Sequence, residues 1–461
     1  MASFAEHEVD GFVVISTNAD QCICPAAEPK LLKAISEAAA EVGKEFWPIN
    51  IKIHDNPELG YKEYIAHEAL TSFMRRQPGW KVTPSAYGLK TAWVAVFDSG
   101  TKGAVVSFNA EMGTFISQSW SYSLPGIGHA CGHNLIATAS VIGAVAAAQV
   151  IKDEGIPGKI VLFGTPAEEG EGGKIRLLEA GAYSDHGVDV SLISHPGIVP
   201  DAARMRTTAI EQFKVEYYGR EAHAAANPWL GINALDALVS AYNNVSMLRQ
   251  QNMPGDIVQG YIAHGGVATN IIPAYACGHF AVRASSQARL EELRAKVYAC
   301  FEAGATATGA RMVLTRGSAY KDHVPNEELA QSFTGYFNAL RPEHKILENA
   351  ELDEARGTTL ASTDQGDVSY AMPSLSAAFF ITPGPGGQGP HNPEFAEAAR
   401  TRDAYENAVR VGKGLAGVAV DVLSSKELLE RAKKSWRDRM HAASQCTRGE
   451  TRVMRKRHGY S

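Results

Sequence analysis

Four short motifs in this 461-residue chain carry side chains suited to chemistry. The first is Gly128-His129-Ala130-Cys131-Gly132-His133. A thiolate and an imidazole are both good ligands for zinc or a similar divalent ion. The glycine between Cys131 and His133 lets the loop turn both donors toward one point. The second motif is Thr165-Pro166-Ala167-Glu168-Glu169-Gly170, directly after the apolar run KIVLFGT. Of two adjacent carboxylates, one can bind a metal and the other can take a proton from an attacking water. The third is Ser194-His195-Pro196-Gly197, and the fourth is a glycine loop, 384–392, that ends in His391-Asn392. Each motif alone reads as readily as a structural histidine or a solvated acidic loop. Together they supply Cys131, His133, Glu169, His195 and His391, enough donors for two ions, and leave Glu168 as general base.

Such donors need elements that hold them at one edge. From Pro29 to Met74 apolar residues recur at helical spacing, interrupted by the turn DNPELG. TAWVAVF, AVVSFNA, KIVLFGT and VDVSLISH read as strands, with a buried helix over 134–152 and another in GGKIRLLEAG. This alternation predicts an α/β fold: a mostly parallel sheet covered by helices, whose strand ends carry the motifs. The texture changes near Arg206. EQFKVEYYG, ALDALVSAYNNVSMLRQQ, DIVQGYIAHGG, ACGHFAVRAS, the helix from Ala288 and ARMVLTRGS follow the β-α-β-β-α-β order of a ferredoxin-like α+β unit. The expected organisation is a disordered leader at 1–28, a catalytic domain at 29–205 and 319–436, an inserted lid or dimerisation domain at 206–318, and a solvated basic tail at 446–461. EQFKVEYYG reads as an exposed edge strand able to pair across a two-fold axis.

Composition narrows the classes. The hydrophobic fraction of 45% supports sizeable cores, and a net charge of −6 gives no basic face for nucleic acid. The apolar run 137–150 is too short to span a bilayer. No basic-then-apolar leader pattern precedes it, so a cytoplasmic enzyme is expected, with no membrane partner. Six cysteines are too scattered for a disulfide framework, and the Cys22/Cys24 pair has no second pair to complete a zinc site.

HACGHN, PAEEGEGGK, SHPG, GREAHAAANPWLGINALDA, GGVATNIIP and STDQGDVSY, in that order, make the chain resemble the aminoacylase and carboxypeptidase family of metallohydrolases. The Cys-containing motif places the resemblance with auxin-conjugate hydrolases, hippurate hydrolases and aminoacylase-like cytosolic dipeptidases. The resemblance runs from about Glu28 to Trp436. It implies hydrolysis of an amide bond in a dipeptide or N-acyl amino acid, by a homodimer carrying two divalent ions, zinc or manganese. It implies the same ligand set and base, His223 as an oxyanion-stabilising group on the lid, and Asn270 and Arg283, on neighbouring strands, as binders of the substrate carboxylate.

One segment departs from the family pattern. Relatives carry an acidic-x-Asp-Ala-Leu-Pro stretch, whereas this chain reads Glu111-Met112-Gly113-Thr114 followed by extra residues before Leu124-Pro125. In classical members that aspartate orients a metal-binding histidine. The alternative expectation is therefore a catalytically impaired scaffold protein, altered over 113–123, although such a protein has no need of Glu168.

Overall fold

Continuous apolar runs such as KIVLFGT have no polar face to show water, so they need cover on both sides. The structure is a computed structural model describing residues 4–9, 12–17, 27–114 and 128–457. The extra residues 115–123 and the Cys22/Cys24 pair lie outside the described residues. The chain divides into two compact units. The first takes the chain up to Arg206, with His323–Thr359 and Thr363–His441; the second takes Thr207–Asp322, Leu360–Ser362 and Ala442–Ser461.

In chain order, β1 (Phe4–Val9) and β2 (Phe12–Thr17) form an antiparallel hairpin. Helices α1 (Pro29–His54) and α2 (Tyr64–Arg76) lead to β3 (Trp80–Pro84), β4 (Trp93–Asp98) and β5 (Val105–Glu111). Then come α3 (His133–Asp153), β6 (Lys159–Thr165), α4 (Gly173–Glu179), α5 (Ala182–Asp185) and β7 (Val190–Gly197). The second unit runs β8 (Ala209–Tyr218), α6 (Ala234–Met247), β9 (Ile257–His264), β10 (Tyr275–Ala284), α7 (Gln287–Thr308) and β11 (Arg311–Tyr320). The first unit resumes with α8 (Glu327–Ala339), α9 (Ala350–Gly357), α10 (Gln365–Ala371) and β12 (Ser374–Phe380). Helices α11 (Pro393–Ala399), α12 (Arg402–Ser424) and α13 (Lys426–Arg457) end the chain.

The first unit is built on a six-stranded sheet of order β12-β7-β5-β6-β4-β3. The four strands from β12 to β6 run parallel; β4 and β3 add an antiparallel pair at one edge. Helix α3 crosses this core. Only its Gln149, Lys152 and Asp153 escape burial. A helix apolar all round belongs inside a protein, which is why its length and hydropathy alone would also suit a bilayer.

The second unit has sheet order β11-β8-β10-β9, every pairing antiparallel, with its own core between the sheet and helices α6 and α7. This is the ferredoxin-like arrangement. It corrects one expectation. EQFKVEYYG lies in β8, hydrogen-bonded on both sides, so it is no edge; the edges are β9 and β11. Alternation along one strand records which face is wet and says nothing of which neighbours it pairs with. The leader contains the β1–β2 hairpin, favoured by the β-branched run FVVIST. The basic tail forms the end of α13, through Arg457, in a segment free of proline.

Candidate metal centre

Parallel sheets gather their strand ends along one edge, and the loops leaving those ends build the site. Glu111 is the last residue of β5, and Glu168 and Glu169 follow β6. His195 sits near the end of β7, and His391 lies in the loop after β12. Cys131 and His133 flank the start of α3. The structure thus brings all six sequence-selected residues of the centre together. Cys131 Sγ is 3.3 Å from His195 Nε2, and His391 Nε2 is 3.3 Å from Glu169 Oε1. His133 Nε2 lies 3.6 Å from Glu169 Oε1 and 3.8 Å from Glu168 Oε2.

Local backbone geometry enforces this convergence. Gly132 has φ of +74°, and a Cβ there would sit 2.7 Å from Pro196 Cγ. Glycine alone lets the HACGH loop seat against the SHPG motif. Ala167 and His391 also have positive φ, at 55° and 67°. Strain of that kind needs anchoring. Ala167 N–H donates to the buried carboxylate of Glu63 at 2.8 Å, and His391 N–H donates to the Ala130 carbonyl at 2.7 Å.

His133 and His195 are oriented by main chain. His133 donates Nδ1–H to the Gly113 carbonyl at 2.6 Å, and His195 donates Nδ1–H to the Pro196 carbonyl at 2.7 Å. Each therefore presents an Nε2 lone pair to the centre, the tautomer a metal requires. Sequence motifs do not reveal these acceptors, because any residue supplies a carbonyl.

Electrostatics separate the two glutamates. Burial, then the negative charges of Glu111 and Glu169, pushes Glu168 well above the usual carboxylate range. Burial also acts upward on Glu169, but the imidazole of His391 and the charge of His133 outweigh it and hold Glu169 down at about 2. Burial and the neighbouring carboxylates push the Cys131 thiol up. A cation among these donors reverses that trend, since it favours thiolate over thiol.

The donor set fits a divalent cation. One atom each from Cys131, His133 and His195 lies within 4.8 Å of the others, as do atoms from Cys131, Glu169 and His391. His133 Nε2 is fully buried with no hydrogen-bond partner among the described residues, an arrangement a metal ion satisfies. Mixed sulfur, nitrogen and oxygen donors suit zinc and its neighbours.

Three functional candidates were not singled out from sequence. Glu111 stands in the same cluster, with one oxygen within 4.8 Å of donors from His133 and Glu168. Lys174 Nζ, fully buried, reaches Glu111 Oε1 at 2.6 Å and Asp364 Oδ1 at 2.5 Å. PAEEGEGGK ends on Lys174 and STDQGDVSY contains Asp364, so both lay inside the motifs already noted.

The remaining candidates lie in the second unit. His223 is exposed, and its Nδ1 accepts from the N–H groups of Ala225 and Ala226 at 3.2 and 3.1 Å. That leaves Nε2–H outward as a donor. Asn270 lies in the turn between β9 and β10, and its carbonyl accepts from Ala224 N–H at 3.0 Å, beside His223. Arg283 lies near the far end of β10; Tyr275 to Arg283 alone spans ~26 Å at ~3.3 Å per residue. Arg283 Nη1 donates to Ser362 Oγ at 2.9 Å and to the Leu360 carbonyl at 3.2 Å. The expectation that Asn270 and Arg283 share neighbouring strands is corrected: they occupy opposite ends of one unit. Spacing along a chain does not reveal how far an extended segment carries its ends apart.

The family model of the peptidase dimerisation domain matches residues 209–308. Over 436 residues the chain is 37% identical to the Xaa-Arg dipeptidase of Mus musculus, covering 92% of this chain and 96% of the relative. It is 24% identical over 462 residues to one subunit of the p-aminobenzoyl-glutamate hydrolase of Escherichia coli K12, covering 88% and 94%. Among solved structures, a Bacillus subtilis dinuclear metal-binding peptidase of the M20 family superposes with a TM-score of 0.60 at 17% identity, covering 85% of this chain and 99% of that one. An aminobenzoyl-glutamate utilization protein from Klebsiella pneumoniae gives 0.60 at 18% identity, covering 84% and 98%. The protein belongs to the M20 family of metallopeptidases. It is a metal-dependent hydrolase of amide or peptide bonds.

Proposed function

We propose that this chain is a dipeptidase acting on small peptides with a basic C-terminal residue and a free carboxylate. The observation that carries the chemistry is the placement of Glu168, buried and raised in pKa, against the donors of His133 and Glu169. Cys131, His133, Glu169, His195 and His391 would hold one or two divalent ions, zinc or manganese. When bound, the metal polarises the scissile carbonyl and acidifies water. Glu168 takes the proton from the attacking water and returns it to the leaving amine, the task of a base whose pKa stands above a free carboxylate's. His223, with Nε2–H directed outward, suits a donor to the developing oxyanion. Asn270, beside it, offers an amide to the substrate carboxylate. Arg283 is occupied by residues 360–362, and it cannot reach one carboxylate together with Asn270 of the same chain.

The basic C-terminal residue is suggested by the 37% identity to Xaa-Arg dipeptidases. A homodimer through the second unit is supported by the dimerisation-domain match and by exposed Tyr242 on α6 and Tyr261 and Ile262 on edge strand β9. A cytoplasmic setting suits Cys131, Cys277 and Cys300, which are free thiols. The deciding experiment is a substrate panel with metal-loaded protein: Xaa-Arg and Xaa-Lys dipeptides, their C-terminal amides, N-acyl amino acids and p-aminobenzoyl-glutamate. Release of free arginine should be fastest. Faster cleavage of p-aminobenzoyl-glutamate, or equal rates on acid and amide, would sink this reading.

A further inference from the structure

Glu111 ends β5 with its side chain only 2% exposed. Its two oxygens live differently. Oε1 accepts from Lys174 Nζ at 2.6 Å. Oε2 is fully buried, has no hydrogen-bond partner among the described residues and lies 3.4 Å from His133 Nε2, which also has none. Buried polar atoms without partners are rare and costly, and two that face each other call for a shared third party. Metal–nitrogen and metal–oxygen bonds of ~2.0–2.2 Å put adjacent ligands of one ion roughly 3 Å apart, close to the spacing seen here.

Charge leads to the same place. Lys174 Nζ lies between Glu111 and Asp364, and its backbone N–H also donates to Asp364 Oδ2 at 2.8 Å. One lysine neutralises one of these two carboxylates. The other carboxylate's charge is buried beside Glu168 and Glu169, and a bound cation would balance it.

We propose that Glu111 is an additional metal-binding residue of the centre, aimed at the ion of His133 by its bond to Lys174, itself braced by Asp364. The proposal rests on the metal-centre reading given above and extends it to a residue outside the four motifs. Lys174 and Asp364 are positioning residues. They fix which oxygen of Glu111 turns outward, as hydrogen-bonded partners of ligating carboxylates do.

The test is metal binding by chelator-stripped protein, followed by calorimetry and by elemental analysis after equilibrium dialysis against zinc or manganese. Glu111→Gln keeps the shape and removes the charge. It should weaken one binding step by about 10–100-fold and leave any other step close to wild type. Should Glu111→Gln fail to fold, Glu111→Asp retains a partner for Lys174 while drawing the outer oxygen back by one methylene, and the same weakening is expected. Wild-type affinity and stoichiometry in a folded variant would overturn the role of Glu111 and leave the metal centre standing. A wild-type protein that takes up no metal would overturn both.

Discussion

His133 is steered by the carbonyl of Gly113: Nδ1 and that oxygen are 2.6 Å apart. Main chain at position 113 thus orients a metal-facing imidazole. A carbonyl is a weaker acceptor than a carboxylate, but it is rigid and tolerates any residue type. That bond supports the centre's geometry from the chain just after β5.

Glu168→Gln should lower kcat by about 10²–10⁴-fold while metal content stays near normal, because a positioned general base is lost and the donors remain. Glu169→Gln should instead strip metal. Elemental analysis beside steady-state kinetics separates the two. Full activity in Glu168→Gln would refute the assignment.

Gly132 and Gly128 make a controlled pair. Both have positive φ, 74° and 69°, but a Cβ at 132 meets Pro196 Cγ at 2.7 Å while one at 128 meets nothing within 4 Å among the described residues. Gly128→Ala should therefore cost about 1–2 kcal/mol, the left-handed penalty alone. Gly132→Ala should cost more and also reduce metal content, since it parts Cys131 and His133 from His195. Denaturant midpoints and metal analysis of both variants check this, and equal effects would count against the seating of the loop.

Removing Lys174 should unsettle the first unit. Lys174→Met leaves two buried carboxylates without their cation, and breaking a buried pair in this way costs about 3–5 kcal/mol. Chemical denaturation of the chelator-treated protein isolates this effect from metal binding. A loss below about 1 kcal/mol would show that water or structural relaxation compensates.

The sequence made the donor motifs legible for a physical reason. Strands that carry no polar face must be buried, so the polar residues at their ends must sit at the sheet's edge. Glu168, Glu169 and His195 follow apolar strands in this way, while Cys131, His133 and His391 stood out in glycine-rich turns. Glu111 escaped because it is a single acid at the end of a buried strand, and its cation comes from α4 while the brace, Asp364, lies 190 residues beyond Lys174. The place of β8 escaped for a related reason. Its neighbours β10 and β11 follow it by more than fifty residues, and alternation carries no record of distant pairing. The ferredoxin-like unit was readable because the order of its elements fixes its topology.

His323 should make stability depend on acidity. Burial holds its imidazole down at about 4, while its Nδ1–H bonds to the Met205 carbonyl at 2.8 Å. The unfolded value is near 6.5, so the folded state binds fewer protons between those limits. Its contribution is fully present above pH 6.5 and is lost as pH falls toward 4. In His323→Gln the slope of stability against pH across this window should flatten, as read from urea midpoints. An unchanged slope would show that the ring is protonated in the folded state.

Ile262→Asp on β9 should yield monomers with intact unit cores, because Ile262 is exposed on an edge strand. Light scattering at micromolar concentration should show a dimer for wild type and half that mass for the variant. A wild-type monomer would overturn the dimer proposal.

The place of β12 at the edge of the main sheet sets an order on synthesis at the ribosome. Among the described strands its partner is β7, and its Ser374 meets Ser191 across 183 positions of chain. All four strands of the second unit's sheet, by contrast, come from one uninterrupted stretch, Thr207–Asp322. That stretch can therefore fold while the parallel sheet is still waiting for its last member, since non-local pairing is slow and local pairing is not. Asp364 and His391 also emerge after that stretch. A nascent or truncated chain thus holds Cys131 and His133 but not the donor that completes the cluster, so a half-made protein lacks the means to assemble a hydrolytic centre before its sheet is closed.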